Sequence, residues 1–201
     1  SSDNIDTNSR LCMSSAVAAH NRAFGEDIVP CTYEDIDQAD LIVLVGSNTA
    51  WCHPVVYQRI VAARAARGTK VVVIDPRRTE TCADADLHLA LKPGSDVALF
   101  AGLLADCRDT GLLDRGYLAA HVAVPENFWA TLDACGLAET AAACDVPIRD
   151  LAAFYELFAA NPVLPDGRPI AEKAVQLRFT FAPEMLRPGP PVIGKGADPF
   201  E

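Results

Sequence analysis

No two of the seven cysteines are separated by just two residues, so the chain carries neither a zinc-ribbon spacing nor a local iron–sulfur spacing. An odd cysteine count cannot pair off completely, which weighs against a disulfide framework and points to a reducing compartment, the cytoplasm. Basic residues are scarce relative to acids. The 17 Lys and Arg against 27 Asp and Glu leave a formal net charge of −10, which makes nucleic acid and anionic membrane surfaces poor partners. No apolar run approaches the about 20 residues that a bilayer-crossing helix needs. A G-x-G-x-x-G fingerprint is missing as well, and with it the support for an ordinary nicotinamide or flavin site. The chain opens Ser1-Ser-Asp-Asn4 with no initiator Met and no apolar leader, so the expectation is a piece of something longer.

What is present is a core. With 201 residues, 50% of them hydrophobic, the chain has enough apolar surface for one packed domain. Its organising features are two strand-to-turn junctions, Leu41-Ile-Val-Leu-Val-Gly-Ser-Asn48 and Val71-Val-Val-Ile-Asp-Pro-Arg-Arg78, each a β-branched run that breaks into small and polar residues. Between them Pro54 suits the first position of a helix whose apolar side is Val56, Ile60 and Ala63 and which Gly68 stops. This reads as β-α-β, and a crossover joining parallel strands brings both strand ends to one sheet edge, the usual ligand edge of an α/β fold. The expected fold is therefore α/β: a Rossmann-like, doubly wound, mostly parallel sheet with flanking helices.

Leu87-His-Leu-Ala-Leu91 alternates like a third strand, and Lys92-Pro-Gly-Ser-Asp96 reads as a turn with Ser95 or Asp96 capping the helix Val97 to Ala105. Further helices are expected over Asp114 to His121, Asn127 to Ala143 and Ile148 to Ala160, with Phe128, Trp129, Phe154, Tyr155 and Phe158 in the core. Arg59, Arg64 and Arg67 fall off the apolar face and read as a solvated surface. The domain is placed at residues 1–161. Residues 162–201, crowded with Pro and Gly, read as an irregular tail, with one extended segment at Val175 to Phe181.

Three polar turns, Gly46-Ser-Asn48, Asp75-Pro-Arg-Arg78 and Gly94-Ser-Asp96, thus fall at strand ends or helix starts. A nucleotide suits them: small residues let backbone N–H groups approach phosphates, Asp75 can hold ribose, and Asp96 can accept from a guanine edge. Asp75 reads equally as an ordinary turn aspartate before Pro76. Cys12 has two readings also, a thiolate favoured by the start of the helix expected from Leu11 or a buried thiol acting as a small hydrophobe.

The runs Asn4-Ile-Asp-Thr-Asn-Ser-Arg-Leu-Cys-Met-Ser-Ser-Ala-Val17, Val45-Gly-Ser-Asn-Thr-Ala-Trp-Cys-His-Pro54, Ile74-Asp-Pro-Arg-Arg78 and Lys92-Pro-Gly-Ser-Asp96 occur in the order seen in a known family. They resemble the molybdopterin oxidoreductases, and within them most closely the catalytic subunits of assimilatory nitrate reductases. The resemblance implies molybdenum bis(molybdopterin guanine dinucleotide) as cofactor and oxygen-atom transfer that reduces nitrate to nitrite, with electrons from a donor protein or reductase subunit. It places Cys12 as the thiolate ligand to molybdenum and Met13 as its active-site neighbour. It assigns the dinucleotide to Asn8, to the turn Val45, Gly46, Ser47, Asn48, Thr49, Ala50, Trp51 and Cys52, to Ile74, Asp75, Pro76, Arg77 and Arg78, and to Gly94, Ser95 and Asp96. His53 is expected to cap or pack, and Cys31, Cys82, Cys107, Cys135 and Cys144 to be plain thiols. Family members run several times longer and begin with a cysteine cluster for a [4Fe–4S] centre, so that cluster is expected only upstream of this segment. Two further readings stand beside this one, a relative of formate dehydrogenase or another molybdopterin enzyme, and a non-catalytic α/β remnant that binds nucleotide weakly or not at all. Met13, where formate enzymes often have His, weighs against the first.

Overall fold

The β-branched runs set the architecture: Val71 to Ile74 are buried without a break, successive residues packing on opposite faces of the sheet. In the computed structural model, which describes residues 13–27 and 31–160, Leu41–Val45 forms strand β1, Lys70–Ile74 forms β2 and Leu87–Leu89 forms β3. The strands run parallel in the order β1-β2-β3, with Val45 opposite Ile74 and Ile74 opposite Leu89. Asn8, Cys12 and residues 161–201, and with them the expected tail and its extended segment, lie outside the described residues.

Helices cover both faces of the sheet. Helix α1 (Ser14–Phe24) ends at Gly25, whose φ of 84° only glycine adopts without strain, and α2 (Tyr33–Gln38) starts with a capping box between Thr32 and Asp35. A single turn, α3 (Thr49–Cys52), leads into α4 (Pro54–Arg67), which opens on Pro54 and closes at left-handed Gly68, as its sequence signals require. Val71 and Val73 of β2 pack with Ile60 of α4, Ile36 of α2 and Cys82 on that face. The connection from β2 to β3, a 3-10 turn at Glu80–Asp84, stays on the same side.

After β3 the chain crosses over. Helix α5 (Asp96–Asp109), α6 (Arg115–His121), α7 (Leu137–Cys144) and α8 (Ile148–Ala159) follow. Leu99, Leu103, Cys144, Leu151, Phe154 and Tyr155 from α5, α7 and α8 pack on Val72, Ile74 and Leu89, forming the larger of the two cores flanking the sheet. A change of side after the third strand is what winds such a sheet in both directions.

Two expectations need correction. Asn127 to Ala143 is not one helix: a 3-10 turn at Trp129–Leu132 is followed by Gly136 in an extended conformation (ψ 165°), and only then does α7 begin. Without a side chain to hold it, Gly136 breaks the helical run. The third strand also stops at Leu89, because the N–H of Lys92 donates to the carbonyl of Cys144 at 2.8 Å, tying the segment to α7. Leu91 nonetheless stays in the larger core.

Candidate functional site

Parallel pairing delivers the first two polar turns to one edge, and the third opens α5 a few residues after β3. The N–H of Gly46 donates to Ile74 O at 2.8 Å and that of Asp75 to Leu89 O at 3.1 Å, so the ladder continues one step beyond the strands and then opens. Gly46 (φ 58°) and Gly94 (φ 82°) take left-handed conformations, and a Cβ added at either would meet nothing within 4 Å. At both turns the backbone can be approached closely.

The first turn is held from the side. Thr49 is buried, and its hydroxyl shares a 2.8 Å hydrogen bond with that of Ser47. Asn48 and Ala50 are tied to Thr81, which lies in the 3-10 turn after β2. The Ala50 N–H donates to Thr81 Oγ1 at 3.1 Å, and that hydroxyl donates to Asn48 Oδ1 at 3.0 Å. Val45 (44% exposed) and Trp51 (75% exposed) leave apolar surface open beside this turn.

In the second turn Ile74 is fully buried, and Asp75 folds back on its own backbone. Its Oδ1 accepts from the Arg77 N–H at 2.8 Å, and its side chain is only 5% exposed. This is the Asx-type geometry of a turn aspartate. From β3, His88 Nε2 lies 2.8 Å from the Asp75 carbonyl; because a carbonyl only accepts, that nitrogen carries the proton. Pro76, Arg77 and Arg78 are exposed, and the Arg78 guanidinium has no ion-pair partner among the described residues. Arg77 Nε lies 3.8 Å from Asp75 Oδ1, so its charge is partly met within the turn.

In the third turn Ser95 is the residue before α5, but its hydroxyl donates to Lys92 O at 2.6 Å instead of capping the helix. Asp96 sits exposed in the first turn of α5, and burial of Ser95 fixes the bend behind it. Met13, 45% exposed, precedes α1, and Cys52 is exposed at the end of α3. His53 is exposed too, and its side chain makes no capping hydrogen bond, which corrects the expected role. Among the described residues no three His, Cys, Asp or Glu side chains converge on a point where a metal would sit. Nor is any helix there long and apolar enough to cross a membrane.

The edge thus brings Val45 to Cys52 beside Ile74 to Arg78, while Gly94 to Asp96 follow β3 by five residues and open α5. Sequence reasoning missed Thr81 and His88. For His88 a signal existed, one polar residue amid alternating leucines; for Thr81 there was none.

A family model described as molybdopterin oxidoreductase matches residues 1–116. The chain belongs to the molybdopterin oxidoreductases. It is 53% identical over 163 residues to a nitrate reductase of Shewanella frigidimarina, covering 79% of this chain and 17% of that protein. A nitrate reductase of Klebsiella oxytoca is 50% identical over 161 residues, covering 79% of this chain and 18% of its own. The chain therefore spans less than a fifth of the length of these relatives. Among solved structures, acetylene hydratase from Pelobacter acetylenicus superposes with a TM-score of 0.61 at 22% identity, over 75% of this chain and 20% of that one, a likeness of fold.

The family is one of oxidoreductases with a molybdenum–pterin cofactor, and the described edge carries groups that suit the phosphates of such a cofactor. Two glycine turns have open space in front of them, an exposed carboxylate stands at Asp96, and two exposed guanidiniums stand at Arg77 and Arg78. Among the described residues this donor set builds no metal centre of its own.

Proposed function

We propose that this chain supplies a wall of the cofactor site in a molybdenum bis(molybdopterin guanine dinucleotide) enzyme that reduces nitrate to nitrite, of the assimilatory type. The observation that supports the reading is the parallel register that sets the Gly46 to Asn48 turn beside the Asp75 to Arg78 turn at the end of β1 and β2, with Gly94 to Asp96 following β3 at the start of α5. When bound, the cofactor supplies two-electron chemistry at molybdenum, here removal of an oxygen atom from nitrate. Electrons would come from a donor protein or reductase subunit.

The chain's own residues bind and orient. The Gly46 N–H is taken by Ile74 O, so the N–H groups that follow it meet the phosphates, the open turn at Gly94 lets them lie close to the backbone, and Arg77 and Arg78 neutralise them. Asp96 accepts from the N1–H and 2-amino group of guanine, the pair of donors a carboxylate matches. A ribose contact by Asp75 asks more, since the turn already buries that side chain and engages Oδ1. Cys12 is proposed as the thiolate ligand and Met13 as its neighbour beside the metal, with Asn8 on the dinucleotide. These three roles rest on the sequence resemblance, because a thiolate is the form that binds and tunes a soft metal.

Co-expression with the cofactor-assembly proteins tests the reading. Molybdenum and guanine retained by the wild type, with molybdenum lost from Cys12→Ala, is the expected result. Retention of neither by the wild type would overturn it and leave a non-catalytic α/β module.

A further inference from the structure

We propose that Thr81 is a positioning residue that aims the side-chain amide of Asn48 at the bound nucleotide, so that Asn48 Nδ2 donates to a phosphate oxygen. This rests on the nucleotide reading given above. Thr81 is fully buried, and its hydroxyl is the meeting point of two groups from the other side of the edge. It accepts from the Ala50 N–H at 3.1 Å, so its own proton is committed to the second partner, Asn48 Oδ1, at 3.0 Å. A hydrogen bond to the amide oxygen settles which end of the amide faces Thr81. Its NH2 group must face away from Thr81. No hydrogen bond to another described residue engages that NH2, and half-buried Asn48 stands between left-handed Gly46 and the start of α3, where the sheet edge opens.

The arrangement links two turns that are far apart in sequence. Asn48 belongs to the turn after β1 and Thr81 to the segment after β2, so the hydroxyl fixes the first turn against the second. A ligand lying along the edge would then meet a donor already oriented, with little ordering left to do on binding. A buried threonine that only filled space would be replaceable by valine, which has nearly the same shape and lacks the hydroxyl.

Guanosine diphosphate is the probe, titrated into the full chain by calorimetry, with thermal melting and amide hydrogen exchange run in parallel. Thr81→Val is expected to weaken binding by about tenfold and speed exchange at the Ala50 N–H, whereas Thr81→Ser keeps the hydroxyl and recovers most of the affinity. Asn48→Leu removes the donor without adding charge and is expected to bind about tenfold more weakly, and Asn48→Asp, which also sets a carboxylate against the phosphate, more weakly still; wild-type affinity in either counts against the proposal even if Thr81→Val does not fold. In the double variant Thr81→Val/Asn48→Asp the losses are expected to fall short of the product of the single effects. Wild-type affinity in Asn48→Leu or Asn48→Asp, or equal affinity in Thr81→Val and the parent chain, overturns the positioning role while leaving the nucleotide site standing. A parent chain that binds no guanosine diphosphate overturns both.

Discussion

The two faces of the sheet are held by different forces. On one, β2 meets Leu99, Leu151, Phe154 and Tyr155, all buried, and little charge takes part. On the other, the apolar cluster is Ile60, Val71, Val73 and Cys82, and α4 is fastened by arginines around its rim. Arg59 Nε pairs with Asp37 at 2.8 Å, Arg67 reaches Asp40 at 3.1 Å, and Arg64 contacts Asp86. Asp86 also accepts from the Val71 N–H at 2.8 Å, so it closes the start of β2 as well as pairing with α4. One face depends on area removed from water, and the other adds charged pairs whose strength varies with pH and salt. Both must hold for the turns between them to stay in register.

The largest expected effect falls on the apolar face. Phe154→Ala removes a fully buried ring and is expected to lower unfolding free energy by about 3–5 kcal/mol, read from urea denaturation. Gly102→Ala gives the same face a test of sign. On an ordinary helix the change would gain about 1 kcal/mol in propensity. Here the new methyl would run into the Thr140 side chain and come within 2.5 Å of the Tyr155 hydroxyl, so a loss of about 1–3 kcal/mol is expected. A gain would show that α5, α7 and α8 meet less closely than described.

The charged face should respond more weakly and in a different way. Asp86→Asn is expected to cost about 1 kcal/mol at low salt, because the amide can still accept from Val71 but no longer pairs with Arg64. Burial opposes ionisation of Asp86, but hydrogen bonds from Arg64, the Val71 N–H and Lys70 outweigh it and hold the carboxyl below its usual range. A depressed acid contributes stability at pH values above its unfolded value of about 3.9, and loses it as pH falls through the lower folded value. The wild type should therefore lose its advantage over Asp86→Asn on acidification below about pH 4, measured as melting temperature against pH. The smallest effect is that of Arg59→Ala, about 0.5 kcal/mol, which should vanish in high salt because that pair is half-exposed.

Much of this was legible in the chain itself. β-Branched runs located β1 and β2, and Pro54 and Gly68 bounded α4, because these signals act within a few residues. Gathering of the turns followed from the strand-helix-strand order, since parallel strands place their ends together. What escaped was long-range pairing. Arg59, Arg64 and Arg67 looked like a solvated stripe because Asp37, Asp40 and Asp86 lie on other elements. Thr81 gave no sign of its role, because its partners Asn48 and Ala50 sit across a strand and a helix. Asp75 kept two readings in sequence, and the folded turn engages its Oδ1 with the Arg77 N–H, a pairing that needs the fold to be seen.

Amide hydrogen exchange of the full chain with and without guanosine diphosphate tests most directly the claim that the ligand lies along the sheet edge. Slower exchange is expected in the segments 45–52, 74–78 and 94–96 together, with little change elsewhere. Protection concentrated around the cavity of about 450 Å3 lined by Leu113, Leu118, Val122 and Trp129, with those three segments unaltered, would contradict it.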